Sequence, residues 1–483
     1  MLNLKDKSLL ETRAYINGEW VESQKTFPVY SPINGELIAN VADMQVVDTK
    51  HAIDAAYAAQ KAWAKQPAKS RAQILNKLFR LLMENQDDLA AIITAEMGKP
   101  LAEAKGEIAY GASYVEWFAE EAKRIYGDTI PALSEHQRVL VTKQPVGVVG
   151  SITPWNFPNA MMARKLAPAL AAGCSFVARP AELTPLSALA VAVLAERAGI
   201  PAGVFNVIPS HDAASIGAEL CANPKVAKIT FTGSTRVGKI LMHQCAEGIK
   251  KMSLELGGNA PFIVFDDADI DAAVEGAIIA KYRNSGQTCV CANRIYVQSG
   301  VYQQFAEKLS AAAQKLKVGN GFEDGVNMGP LISEAALEKV ESHLSDAKSH
   351  GAKIITGGNR HSLGGTYFEP TVITGVKSNM QFATEETFGP LAPLFEFDTE
   401  QQVIDLANDT EFGLAGYFYT NDMAKIFRVS EGLEVGMVGV NTGIISNEAA
   451  PFGGIKQSGM GREGSKYGIE DYLEIKYICI GGI

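Results

Sequence analysis

Apolar positions in the first 123 residues recur mostly at helical spacing. This spacing predicts helices near 49–65, 69–97 and 100–123, in segments rich in Ala, Leu, Glu and Lys. Two short turns, Asn17-Gly18 and Asn34-Gly35, lie between strand-like runs ahead of these helices. Residues 137–143 then alternate apolar and polar side chains, which predicts a strand.

A different pattern begins at Pro145 and continues to about Leu256. Short β-branched runs alternate there with helices, which begin at Pro158 and near Thr184, Asp212 and Ser234. Repeated strand–helix units predict a parallel, doubly wound sheet, and such sheets bind ligands beyond the carboxyl ends of their strands. The same pattern over 257–435 predicts a second α/β domain. The tail, 471–480, is predicted as one long strand that pairs with 137–143 or with another subunit.

Composition and charge narrow the class of protein. The 483 residues are 47% hydrophobic and 20% charged, as expected of a globular protein of about three domains. The net charge of −10 argues against a nucleic acid or an anionic membrane as the main partner. No apolar run predicts a secretory signal or a membrane span, so we expect a cytoplasmic protein. The six cysteines and seven scattered histidines predict neither a disulfide framework nor a metal site.

A glycine-containing turn, 231–239, joins a predicted strand to a predicted helix. Glycine lets the backbone approach a phosphate closely, and the free N–H groups of a helix N-terminus attract anions. The spacing is nearly that of a P-loop, but Ile240 stands where a Ser or Thr should hold magnesium. It also differs from the G-x-G-x-x-G dinucleotide fingerprint. From these residues alone, a phosphate site and an ordinary strand–helix turn remain open.

Two further segments carry reactive side chains. Glu255 ends an apolar strand ahead of Gly257-Gly258, where burial would raise its pKa toward that of a general base. An acid that caps the turn is the alternative. Cys289 follows a predicted helix that ends at 284–286. Cysteine is the most nucleophilic common side chain, although most cysteines are inert buried residues.

Six segments together resemble the aldehyde dehydrogenase superfamily. They are TPWNFP at 153–158, FTGSTRVG at 231–238, LELGGNAP at 254–261, GQTCVCA at 286–292, EETFGP at 385–390 and PFGGIKQSG at 451–459. They occur in the family's order and spacing, and the resemblance extends from about Tyr15 to the C-terminus. Within the superfamily, longer runs such as REGSKYGIEDYLEIKYICI most resemble the bacterial succinate-semialdehyde dehydrogenases.

The resemblance implies an NAD(P)-dependent enzyme that oxidises an aldehyde to a carboxylate. Cys289 would attack the aldehyde carbonyl, and the Asn156 amide with the Cys289 backbone N–H would hold the oxyanion of the thiohemiacetal. Hydride transfer to the nicotinamide would leave a thioester, which water activated by Glu255 would hydrolyse.

The resemblance also implies a division of the α/β chain. A doubly wound cofactor domain would comprise 1–130 and 145–256, and a catalytic α/β domain would comprise 257–440. A small β oligomerisation arm would comprise 131–144 and 465–483, so that we expect a homodimer or homotetramer.

For the cofactor, the resemblance implies a site built from Thr153, Trp155, Gly233, Ser234, Leu256, Glu386 and Phe388. Position 179 departs from the family, which usually has lysine where this chain has Arg179. Nearby Glu182 suits the ribose hydroxyls of NAD and repels a 2′-phosphate, whereas Arg179 could pair with that phosphate. We predict NAD as the preferred cofactor, with NADP possible.

The substrate prediction depends on two arginines. Arg164 lies two helical turns after Asn156, and Arg283 lies six residues before Cys289. In the family's semialdehyde enzymes, the residues at the positions of Arg164, Arg283 and Ser446 bind the substrate's distant carboxylate. The alternative interpretation is that Arg164 and Arg283 are ordinary surface arginines. We predict succinate semialdehyde as the substrate, with glutarate semialdehyde or another short carboxylated aldehyde as the alternative.

Cys291 is two residues beyond the predicted nucleophile. A disulfide with Cys289 would switch the enzyme off, as proposed for some relatives. Because cysteines so close in sequence are hard to bridge without loop movement, we favour a packing role for Cys291.

Overall fold

The computed structural model describes residues 2–483 and begins with two hairpins and four helices. These elements are β1 (Ala14–Ile16), β2 (Glu19–Val21), β3 (Thr26–Tyr30), β4 (Leu37–Ala42), α1 (Val46–Ala64), α2 (Ala68–Glu84), α3 (Gln86–Met97) and α4 (Leu101–Glu121). The prediction of one helix over 69–97 is wrong, because the backbone leaves helical geometry at Asn85. The Asn85 Nδ2 donates to the Leu81 carbonyl at 2.8 Å, so its side chain ends α2.

The next segment alternates strands and helices. Its elements are β5 (Asp128–Ile130), β6 (Gln137–Pro145), β7 (Val148–Ile152), α5 (Pro158–Ala172), β8 (Ser175–Arg179), α6 (Leu186–Ala198), β9 (Phe205–Val207), α7 (Ala213–Ala222), β10 (Val226–Thr232), α8 (Thr235–Ala246) and β11 (Lys251–Glu255). Strands β9, β8, β7, β10 and β11 lie side by side in that order and are parallel. The predicted parallel, doubly wound sheet is therefore confirmed.

A second α/β region follows. Its elements are β12 (Ala260–Val264), α9 (Ile270–Tyr282), β13 (Ala292–Gln298), α10 (Tyr302–Ala313), α11 (Glu334–Ser349), β14 (Lys353–Thr356), β15 (Thr371–Val376), α12 (Gln381–Thr384), β16 (Leu391–Phe397), α13 (Glu400–Asn408), β17 (Phe412–Gly413), β18 (Ala415–Tyr419), α14 (Met423–Gly432) and β19 (Met437–Val440). The seven-stranded sheet has the order β14-β15-β16-β13-β12-β18-β19, with only β14 antiparallel. Its strands read as near-continuous apolar runs because helices cover both faces.

The C-terminal segment returns to earlier parts of the chain. It contains β20 (Ile455–Lys456), β21 (Gly459–Met460) and β22 (Leu473–Gly481). Strand β21 adds to the first sheet beside β11, and β22 pairs antiparallel with β6 along its full length. The second pairing confirms the first of the two predicted partners for the tail. The predicted domain bounds and homo-oligomer stay predictions.

Within residues 2–483, none of the helices combines the length and the apolar character needed to cross a membrane.

Candidate active site

Cys289 lies in the connection between α9 and β13, in a loop with strained backbone. Asn284 and Ser285, a few residues ahead of it, have backbone φ angles of 51° and 56°, which residues other than glycine rarely adopt. The Asn284 N–H donates to Glu103 Oε2 at 2.8 Å, and Ser285 Oγ donates to the Gly329 carbonyl at 2.8 Å. These long-range hydrogen bonds fix the loop that presents the thiol.

Two cavities meet at the Cys289 side chain. One, of about 250 Å³, lies at the carboxyl ends of β7, β10 and β11, and we call it the sheet-edge cavity. The other, of about 270 Å³, contains both predicted substrate arginines, and we call it the arginine cavity. Phe157 and Met161 also border both spaces. The thiol therefore faces two ligand sites at once.

The sheet-edge cavity contains most of the predicted cofactor residues. Those that line it are Trp155, Gly233, Ser234, Leu256, Glu386 and Phe388. Asn156 and Glu255 line it as well. Thr153, Arg179 and Glu182 lie outside the cavity lining, at the ends of the neighbouring strands β7 and β8. A ligand that reached all of them would extend along the sheet edge, as a dinucleotide does.

The turn after β10 is built for close approach of a ligand to the backbone. Ser234 is the N-cap of α8, and its side chain accepts the Val237 N–H at 3.4 Å. Gly238 packs so tightly that a Cβ would lie 2.6 Å from Leu256 Cδ2. A larger residue there would require the Leu256 side chain to move. Helix α8 begins just after β10 and presents its free N–H groups at the sheet edge. These residues fit the phosphates of a dinucleotide.

The far wall of this cavity is formed by the 385–388 turn. Glu386 Oε1 accepts the Gly258 N–H at 3.1 Å, and burial raises the Glu386 pKa to about 7. Phe388 has a left-handed φ of 56° and packs edge-on against Trp155, with ring centroids 5.6 Å apart. Both rings line the sheet-edge cavity. This arrangement fits a flat ring beside the thiol.

Glu255 is buried beside a second acid. Its pKa is raised well above the usual value by burial and by the Glu463 carboxylate, against the opposing charges of Arg164 and Lys165. Glu255 Oε2 has no hydrogen-bond partner among residues 2–483. When it is ionised, this buried carboxylate beside the thiol cavity can accept a proton.

Glu463 holds the positive charges near Glu255. Its Oε2 lies 2.6 Å from Arg164 Nη2, and its Oε1 contacts Lys165 Nζ. Burial opposes ionisation of Glu463, but Arg164 and Lys165 outweigh it and lower the pKa of this acid. Glu463 therefore stays charged while Glu255 favours the protonated form.

Burial also dominates the chemistry of the thiol. It raises the pKa of Cys289 to about 12, while Arg164 opposes the shift and Glu255 adds to it. The thiol is consequently protonated at neutral pH. Nucleophilic attack then requires a base that removes its proton.

The arginine cavity brings together all three predicted substrate residues, Arg164, Arg283 and Ser446. They differ in their partners. Arg164 is almost fully buried, is paired with Glu463 and lies 4.0 Å over the Phe452 ring. Arg283 stacks over the Phe157 ring at 5.6 Å and forms no salt bridge within residues 2–483. Of the two guanidinium groups, Arg283 is the one with its charge available to a ligand.

Arg179 and Glu182 form a salt bridge with each other. Arg179 Nη2 donates to Glu182 Oε2 at 2.7 Å and to the Ser210 carbonyl at 2.9 Å. The guanidinium is buried and Glu182 is partly exposed. The charge of Arg179 is therefore already compensated within the protein.

Cys291 faces away from the space between the two cavities. Its Sγ contacts the Lys281 carbonyl at 3.3 Å, and both Cys289 and Cys291 are free thiols. A Cys289–Cys291 disulfide stays a prediction.

Several lining residues were missed by sequence reasoning. Glu103, Gly106 and Tyr110 of α4 line the arginine cavity, and Lys339 of α11 lines the sheet-edge cavity. One signal was available, since Glu103 and Glu107 put two like charges four residues apart on one face of α4. Lys339 offered none, because its solvated helix has ordinary composition.

A doubly wound sheet that shares a thiol cavity with a second α/β domain is the arrangement of a nicotinamide-dependent dehydrogenase. The chain belongs to the aldehyde dehydrogenase family, whose model matches residues 20–478. It therefore oxidises aldehydes with NAD(P) as the hydride acceptor.

Three relatives match essentially the whole chain. A 3-sulfolactaldehyde dehydrogenase of Pseudomonas putida and a glutarate-semialdehyde dehydrogenase of Pseudomonas aeruginosa are each 62% identical, over 100% of both proteins. An NADP-dependent succinate-semialdehyde dehydrogenase of Escherichia coli is 60% identical, over 99% of this chain and 100% of that protein. The crystal structure of an aldehyde dehydrogenase from Brucella melitensis biovar abortus is 62% identical, with a TM-score of 0.99 and full coverage of both chains.

Proposed function

We propose that the enzyme oxidises a short aldehyde whose far end carries an anionic group, with succinate semialdehyde as the main substrate. The observation that carries this proposal is Arg283, whose guanidinium borders the same cavity as the Cys289 thiol and forms no salt bridge among residues 2–483, although its charge also acts on nearby Glu103. An unpaired guanidinium in a partly buried site favours a carboxylate ligand by charge-assisted, bidentate hydrogen bonds. Ser446 adds a hydroxyl donor to the same cavity.

The names of the relatives support an anionic substrate. Sulfolactaldehyde, glutarate semialdehyde and succinate semialdehyde all carry a sulfonate or carboxylate besides the aldehyde. Glutarate semialdehyde is our second candidate, because one relative with that name is as similar to this chain as the others.

In the proposed mechanism, Cys289 attacks the aldehyde carbon and Asn156 holds the resulting oxyanion. The Asn156 Nδ2 donates one hydrogen to the Gln287 carbonyl at 3.0 Å, which fixes the amide and leaves its second N–H for the substrate oxygen. Such a donor typically supplies about 3 kcal/mol of transition-state stabilisation. A nicotinamide dinucleotide held at the sheet edge by Trp155, Ser234 and Glu386 would supply the hydride acceptor for the oxidation.

Glu255 serves both proton transfers in this proposal. In its ionised form Glu255 first receives the thiol proton, since the raised pKa of Cys289 requires a base, and then releases that proton to solvent. Ionised again, it takes a proton from the water that hydrolyses the thioester. The charged Glu463 beside it keeps the affinity of Glu255 for a proton high.

Replacing Arg283 by alanine tests the substrate proposal. We expect kcat/KM for succinate semialdehyde to fall roughly 10- to 100-fold, because a charge-assisted pair is lost. Butyraldehyde, which has the same number of carbons and no carboxylate, should be oxidised nearly as well as by the wild type. Steady-state rates of cofactor reduction measure both.

Arg283→Lys is the matched control for this test. It keeps the positive charge but loses the planar fork, so its activity on succinate semialdehyde should lie between wild type and Arg283→Ala. Equal losses on both aldehydes in Arg283→Ala would exclude the carboxylate-anchor role.

We also propose that NAD is preferred over NADP, because Glu182 already neutralises Arg179 and would repel a 2′-phosphate. Replacing Glu182 by glutamine should raise the ratio of kcat/KM for NADP to that for NAD by about fivefold or more, since the repulsion is removed and Arg179 is released. The ratio is measured with one saturating aldehyde and matched cofactor concentrations.

Glu196→Gln provides the control for this prediction. Glu196 lies at the far end of α6 and bonds the Trp20 indole, so its replacement should leave the cofactor ratio unchanged. A wild-type enzyme that prefers NADP, or an unaltered ratio in Glu182→Gln, would contradict the proposed role of Glu182.

A further inference from the structure

Helix α4 carries a buried ion pair beneath the turn that contains Asn156. Lys99, two residues ahead of the helix, and Glu107 within it have fully buried side chains, and Lys99 Nζ lies 2.6 Å from Glu107 Oε2. A buried ion pair contributes little net stability, because removing two charges from water offsets their attraction. A contribution to folding stability therefore does not explain why this ion pair lies beneath Asn156.

Lys99 reaches the backbone of Asn156 directly. Its Nζ donates to the Asn156 carbonyl at 2.7 Å and lies 3.7 Å from the ring centroid of Phe157, the next residue. The Asn284 side chain donates to the same carbonyl at 3.1 Å, from the loop that leads to Cys289. The Asn156 peptide is thus held from two sides, and the thiol loop is one of them.

Glu107 holds the other end of the same turn. Its Oε1 accepts the backbone N–H groups of Asn159 at 2.9 Å and Ala160 at 3.2 Å, in the first turn of α5. An acid at a helix N-terminus satisfies free N–H groups and interacts favourably with the helix dipole. Lys99 and Glu107 therefore fix the chain on both sides of Asn156 and Phe157.

We propose that Lys99 and Glu107 are positioning residues that aim the Asn156 amide at the oxygen of the bound aldehyde. Neither residue transfers a proton or a hydride; the pair acts only through Asn156. This inference rests on the proposed oxyanion role of Asn156. It assigns a function to a buried pair of which only Glu107 borders the arginine cavity.

The test is a double-mutant cycle between Lys99→Met and Asn156→Ala, read as kcat/KM for the aldehyde at saturating cofactor. Lys99→Met should lower kcat/KM by roughly 10- to 100-fold in the wild-type background, a part of what a lost oxyanion donor causes. In the Asn156→Ala background the same change should have almost no further effect, because the group through which it acts is gone. Cofactor affinity, measured by quenching of tryptophan fluorescence, should stay near wild type in every variant.

Two further variants separate positioning from folding. Lys99→Met/Glu107→Gln removes both charges and leaves no uncompensated ion, so it should fold and show the same loss of kcat/KM. Glu96→Gln is the matched control. Glu96 is a buried acid of α3 whose oxygens accept the Leu186 and Ser187 N–H groups of α6 at 2.8 and 2.9 Å, as Glu107 does for α5. Its replacement should lower the thermal midpoint but keep kcat/KM.

The outcomes distinguish this inference from the proposed function. Wild-type kcat/KM in folded Lys99→Met/Glu107→Gln, or an equal loss in the Asn156→Ala background, would overturn the positioning role while Asn156→Ala itself remained slow. A wild-type rate in Asn156→Ala would instead refute the oxyanion role, and the inference with it.

Discussion

Replacing Cys289 by alanine is expected to lower steady-state aldehyde oxidation by at least about 10⁴-fold, as the loss of a covalent nucleophile does in other enzymes. The sheet-edge cavity would keep its shape, because the thiol contributes only one part of its lining. Cofactor affinity should therefore stay near wild type, and the defect should lie in the chemical step. Cofactor reduction measured by absorbance, with affinity measured by fluorescence titration, checks both.

Cys291→Ala is the matched control for that result. Cys291 is buried, and its Sγ contacts the Lys281 carbonyl rather than the cavity where the two ligands meet. Its replacement should leave most of the activity. Activity above about one per cent of wild type in Cys289→Ala would contradict the assignment of Cys289 as the nucleophile. So would loss of activity in Cys291→Ala when Cys289→Ala stays active.

The sequence patterns that predicted correctly are the local ones. Alternation of strands and helices predicted the first sheet, and the ends of β7, β10 and β11 all contribute residues to one cavity. This success has a physical reason, since parallel strands of a doubly wound sheet bring their carboxyl ends to one edge. The motif segments at these strand ends could therefore be predicted to lie together without knowledge of any long-range contact.

The partners of charged residues could not be predicted in the same way. Arg164 borders the arginine cavity, but its pairing with Glu463 joins residues almost 300 positions apart. No local period encodes such a contact. The pairing changes the interpretation of Arg164 from a free anchor to a charge shared with Glu463, so that Arg283 is the anchor that we propose for the substrate.

The short polar side chain of Asn85 explains the wrong prediction of one helix over 69–97. Asn85 interrupts a segment whose apolar period continues through it, and its amide competes with the helix by bonding the Leu81 carbonyl. Lys99 and Glu107 were overlooked for a related reason. Glu107 lies on the face of α4 that packs against α5, where the apolar period of the helix predicts an apolar residue, and Lys99 lies two residues ahead of that helix.

Replacing Glu255 by glutamine is expected to separate the two halves of the reaction. In this variant the thiol proton must pass to water, which slows the first hydride transfer, but hydrolysis of the thioester should be slowed more. The thioester on Cys289 should therefore accumulate while turnover falls roughly 10²- to 10³-fold. Rapid mixing should then give a burst approaching one reduced cofactor per active site, followed by a slow phase. Mass spectrometry of the quenched protein should find the acyl group on Cys289.

The pH dependence provides the discriminating control for Glu255. Its carboxyl pKa is raised by burial and by Glu463, so the fraction able to act as a base, and with it the wild-type turnover, should increase with pH well above the range in which an ordinary carboxyl group ionises. In Glu255→Gln the slow phase should depend on pH only through hydroxide, and Glu255→Asp should keep the ionising group and recover part of the turnover. A variant Glu255→Gln with no burst and no thioester would mean that this acid is needed before hydride transfer, to take the proton of a thiol whose own pKa is about 12. In that case its first role in the proposed mechanism, rather than its second, limits the rate.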